Sequence, residues 1–218
     1  MKLVTVAEMR AIEQEADTNG LSYAKMMENA GHGLAEEIEA LAYAGQDEDR
    51  EVLALVGPGN NGGDALVALT RLAADGWRAR AYLVKRQAEG DELVERFKKE
   101  GGEILSAEKD ADFTQLTAFI ETADVVVDGV LGTGIKLPLK PEIARVLEAA
   151  NQAISSLSGG FFPEGTQPAN LVKNFFSFRS CRGLQFSFQF LHLFLPAITP
   201  IQFNATFNHW NCPPPKYC

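Results

Sequence analysis

Acidic side chains almost vanish from the last third of this 218-residue chain. Residues 153–218 hold one, Glu164, while residues 1–152 hold the other 28 of 29. Cysteine is scarce. All three residues, Cys181, Cys212 and Cys218, lie in that same last third, and their spacing matches no metal site. The formal net charge of −9 argues against a nucleic-acid binder that neutralises phosphates with lysine and arginine. A small anion held by backbone amides is not excluded, because amides carry no formal charge. No apolar run is long enough to span a membrane: Leu184 to Phe203 is interrupted by Gln185, Gln189, His192, Pro196, Thr199, Pro200 and Gln202. Met1 to Glu8 shows no long apolar stretch before charges appear. No secretory signal is read there, and a cytoplasmic location is expected.

What is present is an ordinary globular composition, with 46% apolar and 22% charged residues. Thr5 and Glu8 have capping-box spacing ahead of Met9, Ile12 and Ala16, which predicts a helix ending near Asn19-Gly20. Ser22 can cap a second helix through Met26, Ala30, Leu34 and Ile38. From Val52 the pattern changes to short apolar runs alternating with helical spacing. Strands are expected at Val52–Val56, Ala79–Val84, Glu103–Leu105 and Val125–Asp128. Helices are expected after the first glycine-rich loop up to Gly76, from Asp91 to Lys99, from Asp112 to Thr122, and from Pro141 to about Gln152. Alternating strands and helices predict an α/β fold: a Rossmann-like, doubly wound, mainly parallel sheet with helices on both faces.

Two glycine-rich turns follow strands one and four. In a sheet of order 3-2-1-4 those strands are neighbours, and ligands bind at their carboxyl ends. Asn61 in the first turn and Asp128 before the second are therefore expected to face one crevice. The first turn, Gly57-Pro58-Gly59-Asn60-Asn61-Gly62-Gly63-Asp64, formally fits a dinucleotide fingerprint. Strand two, however, ends in Val84-Lys85-Arg86, with no acid to hold a ribose. A P-loop is excluded, because no Gly-Lys-Ser/Thr follows. The turn reads either as a tight bend that needs glycine or as an anion site on helix amides. Asp64 is read as the N-cap of the following helix. Asp128 reads either as a cap for its own loop or as an oxygen ligand to a hard cation shared with Asn61.

Met27-Glu28-Asn29-Ala30-Gly31, the first turn, and Asp128-Gly129-Val130-Leu131-Gly132-Thr133-Gly134 together resemble the NAD(P)H-hydrate epimerases (the YjeF N-terminal domain) over residues 3–150. The resemblance implies interconversion of the R and S hydrates of NADH or NADPH with the help of a potassium ion. It implies substrate contacts from Asn60, Asn61, Gly62, Gly63 and Asp64, and from Gly132, Thr133, Gly134, Ile135, Lys136, Leu137 and Pro138. It implies potassium ligands at Asn61 and Asp128. It also implies a functional partner, an NAD(P)H-hydrate dehydratase on a separate chain, and leaves room for a homodimer. Ala65 stands where the family usually has glycine. The family's fifth strand ends in Asp-x-Pro-Ser-Gly, whose aspartate serves substrate and chemistry. No such motif occurs here, so no catalytic residue is assigned.

Residues 1–152 are thus read as a truncated nucleotide-binding domain without the family's later strands. Residues 153–218 are read as an atypical Phe-rich tail, expected to be disordered. The tail carries 11 of the 14 phenylalanines. A strand from Leu184 to Leu191 fits the alternation of Phe186, Phe188 and Phe190 with polar residues. The abrupt change points to a reading-frame shift, a mispredicted exon or an alternative transcript. A lineage-specific addition is the other origin.

Overall fold

The structure is a computed structural model. It describes residues 5–42, 50–132 and 138–159, and three short strands at 170–172, 176–179 and 185–188. Helix α1 (Val6–Thr18) starts at the expected capping box: the Glu8 amide donates to Thr5 Oγ1 at 3.2 Å, and the Thr5 amide donates to Glu8 Oε2 at 2.7 Å. Helix α2 spans Tyr23–Ala42, and the Lys25 amide donates to Ser22 Oγ at its start.

Strands β1 (Glu51–Val56), β2 (Arg78–Leu83), β3 (Glu103–Ser106) and β4 (Val125–Gly129) stand in the order β3-β2-β1-β4, all parallel. Between them run α3 (Asn60–Ala74), α4 (Glu92–Lys99) and α5 (Thr114–Thr122), and α6 (Pro141–Gly159) follows β4. The alternation within β1 explains the layers. Val52, Ala54 and Val56 pack with Leu34, Ile38, Leu66, Leu69 and Phe97 from α2, α3 and α4. Leu53 and Leu55 point the other way, to Leu116, Ile120, Val146 and Ala150 of α5 and α6. Both faces of the strand are buried, as expected of a parallel sheet covered by helices on each side.

Two boundaries differ from the expectation. Helix α6 does not stop near Gln152 but runs to Gly159, across the point where the composition breaks. Its apolar spacing continues through Ala153, Ile154 and Leu157, which pack on the same side of the sheet as Ala150. The sheet also has a fifth strand, which the sequence did not indicate. β5 (Asn170–Val172) pairs in parallel with β4. With only three residues it is too short to show a periodicity. The strand expected from Leu184 to Leu191 is present in shorter form. β7 (Gln185–Phe188) pairs antiparallel with β6 (Phe176–Arg179) as a separate two-stranded sheet. The rest of the tail lies outside the described residues. Among those described, no helix is long and apolar enough to cross a membrane.

Candidate nucleotide and cation site

The register of β1 and β4 sets the site. Val56 lies opposite Gly129, so the two glycine-rich turns leave the sheet side by side. The Gly57 amide donates to the Gly129 carbonyl at 3.2 Å and ties them at the root. A Cβ on Gly57 would come within 2.5 Å of the Val130 carbonyl oxygen. Only a residue without a side chain lets the two backbones approach this closely.

Helix α3 begins earlier than Asp64. Its N-cap is Gly59, which makes no side-chain cap bond, and its helical residues start at Asn60. Asp64 therefore lies in the second turn of the helix, and the N-cap expected there is wrong. The cause is the backbone approach at Gly62. A Cβ there would land on the Gly57 carbonyl oxygen, so the helix can wind directly off the turn. The Gly63 amide donates to the Gly59 carbonyl at 3.2 Å. The amides of Asn60, Asn61 and Gly62 come ahead of that bond. They are the donors that a helix start leaves for an anion.

Asn61 reaches the second turn. Its Nδ2 donates to the Leu131 carbonyl, and a Cβ on Gly132 would touch its side-chain amide. Its backbone carbonyl lies beside Gly129. Asp128, at the end of β4, accepts the Val130 amide at 2.9 Å, closing its own loop as a turn residue would. Burial pushes the Asp128 carboxyl above the usual carboxylate range, against the pull of the Val130 and Leu131 amides. Among the described residues no lysine or arginine pairs with it. Carboxylate, side-chain amide and backbone carbonyl oxygens are the donor type that suits a hard cation. No cluster of three or more His, Cys, Asp or Glu exists among the described residues to suit a transition metal.

The structure thus places Asn60, Asn61, Gly62, Gly63 and Asp64 in the first turns of α3, and Gly132 against Asn61. Pro138 is exposed just ahead of α6. Thr133, Gly134, Ile135, Lys136 and Leu137 lie outside the described residues. Burial, aided by the Glu13 carboxylate, pushes Asp64 up to about 7. Glu13 itself is raised by burial, against the opposing pull of Arg10. The Met27–Gly31 motif has a packing role. A Cβ on Gly63 would meet Met27 Sδ at 2.7 Å, and one on Gly31 would meet Val67, so α2 lies directly on the start of α3.

Comparison with known proteins decides the family. Residues 23–160, well over half of the chain, match the model described as "YjeF-related protein N-terminus". The chain belongs to this family. Among YjeF-related relatives, an NAD(P)H-hydrate epimerase of Rhodopirellula baltica is 39% identical over 130 residues, covering 58% of this chain and 50% of its own length. A bifunctional NAD(P)H-hydrate repair enzyme Nnr of Hyperthermus butylicus is 30% identical over 180 residues, covering 79% of this chain and 33% of its own. The chain therefore spans from a third to a half of these relatives. The crystal structure of yeast YNL200c shares the fold, with a TM-score of 0.62 at 23% identity over 78% of this chain and 79% of that one.

Sequence reasoning passed over Arg86. It registered only as the absence of a ribose-binding acid after β2. In the structure its guanidinium bonds to the Gly57 carbonyl and to Asp91.

Proposed function

We infer that this chain binds hydrated NADH or NADPH at the meeting of its two glycine-rich turns, as an NAD(P)H-hydrate epimerase. The observation that carries the reading is the seating of Asn61, on α3, against Leu131 and Gly132 of the turn after β4. In it, the leading amides of α3 take phosphate oxygens. On this reading residues Gly132 to Pro138 contribute substrate contacts, with Lys136 adding positive charge. Asn61 and Asp128 hold a potassium ion between them through oxygen atoms. When bound, that ion supplies positive charge beside the phosphate and offsets the cost of keeping Asp128 ionised in a buried place. That relatives are named bifunctional NAD(P)H-hydrate repair enzymes fits a second repair activity, such as a dehydratase, as functional partner.

Inverting the carbon that bears the hydroxyl requires the hydroxyl to leave and return, or the ring to open and close. Either route needs a proton donor and acceptor within hydrogen-bond reach. The chain has no Asp-x-Pro-Ser-Gly segment, and Asn170-Leu171-Val172 of β5 is followed by Lys173-Asn174-Phe175. That observation favours a second reading, a non-catalytic nucleotide- or protein-binding module of the same fold.

One assay separates the two. Pure R-hydrate of NADH is incubated with the protein and potassium, and the S form is followed by chromatography. Conversion above the buffer rate supports the epimerase. Conversion at the buffer rate, with NADPH hydrate still binding, supports the module. No binding of either hydrate sinks both nucleotide readings.

A further inference from the structure

We propose that Arg86 is a positioning residue that holds the Gly57 carbonyl and so fixes the first turn against the second; its functional consequence rests on the nucleotide reading above. Past the end of β2, the Val84 amide donates to the Val56 carbonyl at 2.8 Å and keeps the chain on the edge of β1. Lys85 follows with φ of +57°, a left-handed conformation uncommon outside glycine. This reversal sends the Arg86 side chain back over the end of β1, where only 11% of it is exposed. Arg86 Nη1 donates to the Gly57 carbonyl at 3.1 Å, and Nε donates to Asp91 Oδ2 at 2.8 Å.

Asp91 is a firm anchor. Its other oxygen, Oδ1, accepts the Leu93 and Val94 amides at 3.0 and 3.2 Å and caps α4. Gly57 is held from the other side as well, since its amide bonds to the Gly129 carbonyl. One residue thus ties the end of β1 to two elements: its amide to β4, and its carbonyl through Arg86 and Asp91 to α4. The same carbonyl oxygen is the surface on which Gly62 rests. A shift of Gly57 therefore moves the start of α3, and with it the Asn60–Gly62 amides and the Asn61 side chain.

The competing role for a cation on this edge of the sheet is direct contact with a substrate phosphate. The two roles separate by experiment. The variants are Arg86→Met and Asp91→Asn in the full chain. Asparagine still caps α4 but loses the charge that holds Nε. Backbone hydrogen exchange of the segment 57–65 is measured without ligand, and ADP-ribose affinity is measured by calorimetry. The strut predicts that protection of this segment falls about tenfold or more in Arg86→Met and by less in Asp91→Asn, with α5 and α6 unchanged. ADP-ribose affinity falls in the same order. Unchanged exchange in a folded Arg86→Met overturns the proposal, and so does lost affinity with unchanged exchange, which makes Arg86 a ligand. If Arg86→Met does not fold, unchanged exchange in Asp91→Asn overturns it. If the wild-type protein binds no ADP-ribose, the nucleotide reading loses its support while the exchange result still judges Arg86.

Discussion

Asp64 retains its proton at a pH where an ordinary aspartate has lost it. Burial is the main cause, and the Glu13 carboxylate adds to it. In the folded chain it is pushed up to about 7, against 3.8 for a freely exposed aspartate. Between those two values the unfolded chain gives up its proton while the folded chain keeps it. Stability therefore falls as pH rises through this window and levels off above about 7. Glu13, also raised by burial, contributes with the same sign. Asp64→Asn removes the Asp64 part of this slope. Its melting temperature relative to wild type is expected to rise by about 5 °C between pH 5 and pH 8, read by calorimetry. A constant difference across the range would show that Asp64 titrates normally. The cation site gives a second prediction at this scale. Asp128→Asn keeps an oxygen to accept the Val130 amide but loses the charge, and Asn61→Ala loses the amide. Both are expected to raise the potassium concentration needed for half-maximal thermal stabilisation, measured against sodium, by about tenfold or more. An unaltered potassium response in both variants removes the cation from the site.

At the scale of elements, glycine decides how closely the parts approach. Gly62→Ala places a methyl on the Gly57 carbonyl, a backbone atom that cannot swing aside. We expect a loss of about 3 kcal/mol or more in urea unfolding. Gly31→Ala pushes against Val67 and the Asp64 carbonyl where α2 crosses α3, and about 2 kcal/mol is expected to be lost. Wild-type stability in either variant would show that the close approach relaxes freely. These contacts also show what was legible beforehand. The capping box of α1 and the core strands followed from side-chain periodicity and turn chemistry, both local signals, while the order β3-β2-β1-β4 was taken from the doubly wound fold class. That order brought Asn61 beside the turn after Asp128. The start of α3 was not legible, because Asp64 has the composition of a cap while the true cap, Gly59, has no side chain to signal it and follows from the close approach of Gly62 to the Gly57 carbonyl. Arg86 was invisible for a similar reason. Its partners, Gly57 and Asp91, are defined only once β1 and β2 stand side by side.

For the whole molecule, the composition break at residue 152 and the structural break do not coincide. Helix α6 passes through the former and keeps packing to Leu157. The parts that position Asn61 and Asp128 all lie ahead of residue 133. On the second reading, in which the two turns bind the nucleotide but the strand beside β4 does not end in Asp-x-Pro-Ser-Gly, the chain binds without turning over. Replacing the residues after Gly159 with a family-like segment, carrying a fifth strand that ends in Asp-x-Pro-Ser-Gly, supplies the missing acid beside β4. We expect the replaced chain to convert R to S hydrate in the presence of potassium at a rate at least about 100-fold above that of the natural chain, a typical contribution for one general acid or base. Changing that introduced aspartate to asparagine should return the rate to the starting value. If the replaced chain folds, binds the hydrate and still converts it no faster, the defect lies in the front half. The two turns would then bind a nucleotide in a pose that the chemistry cannot use.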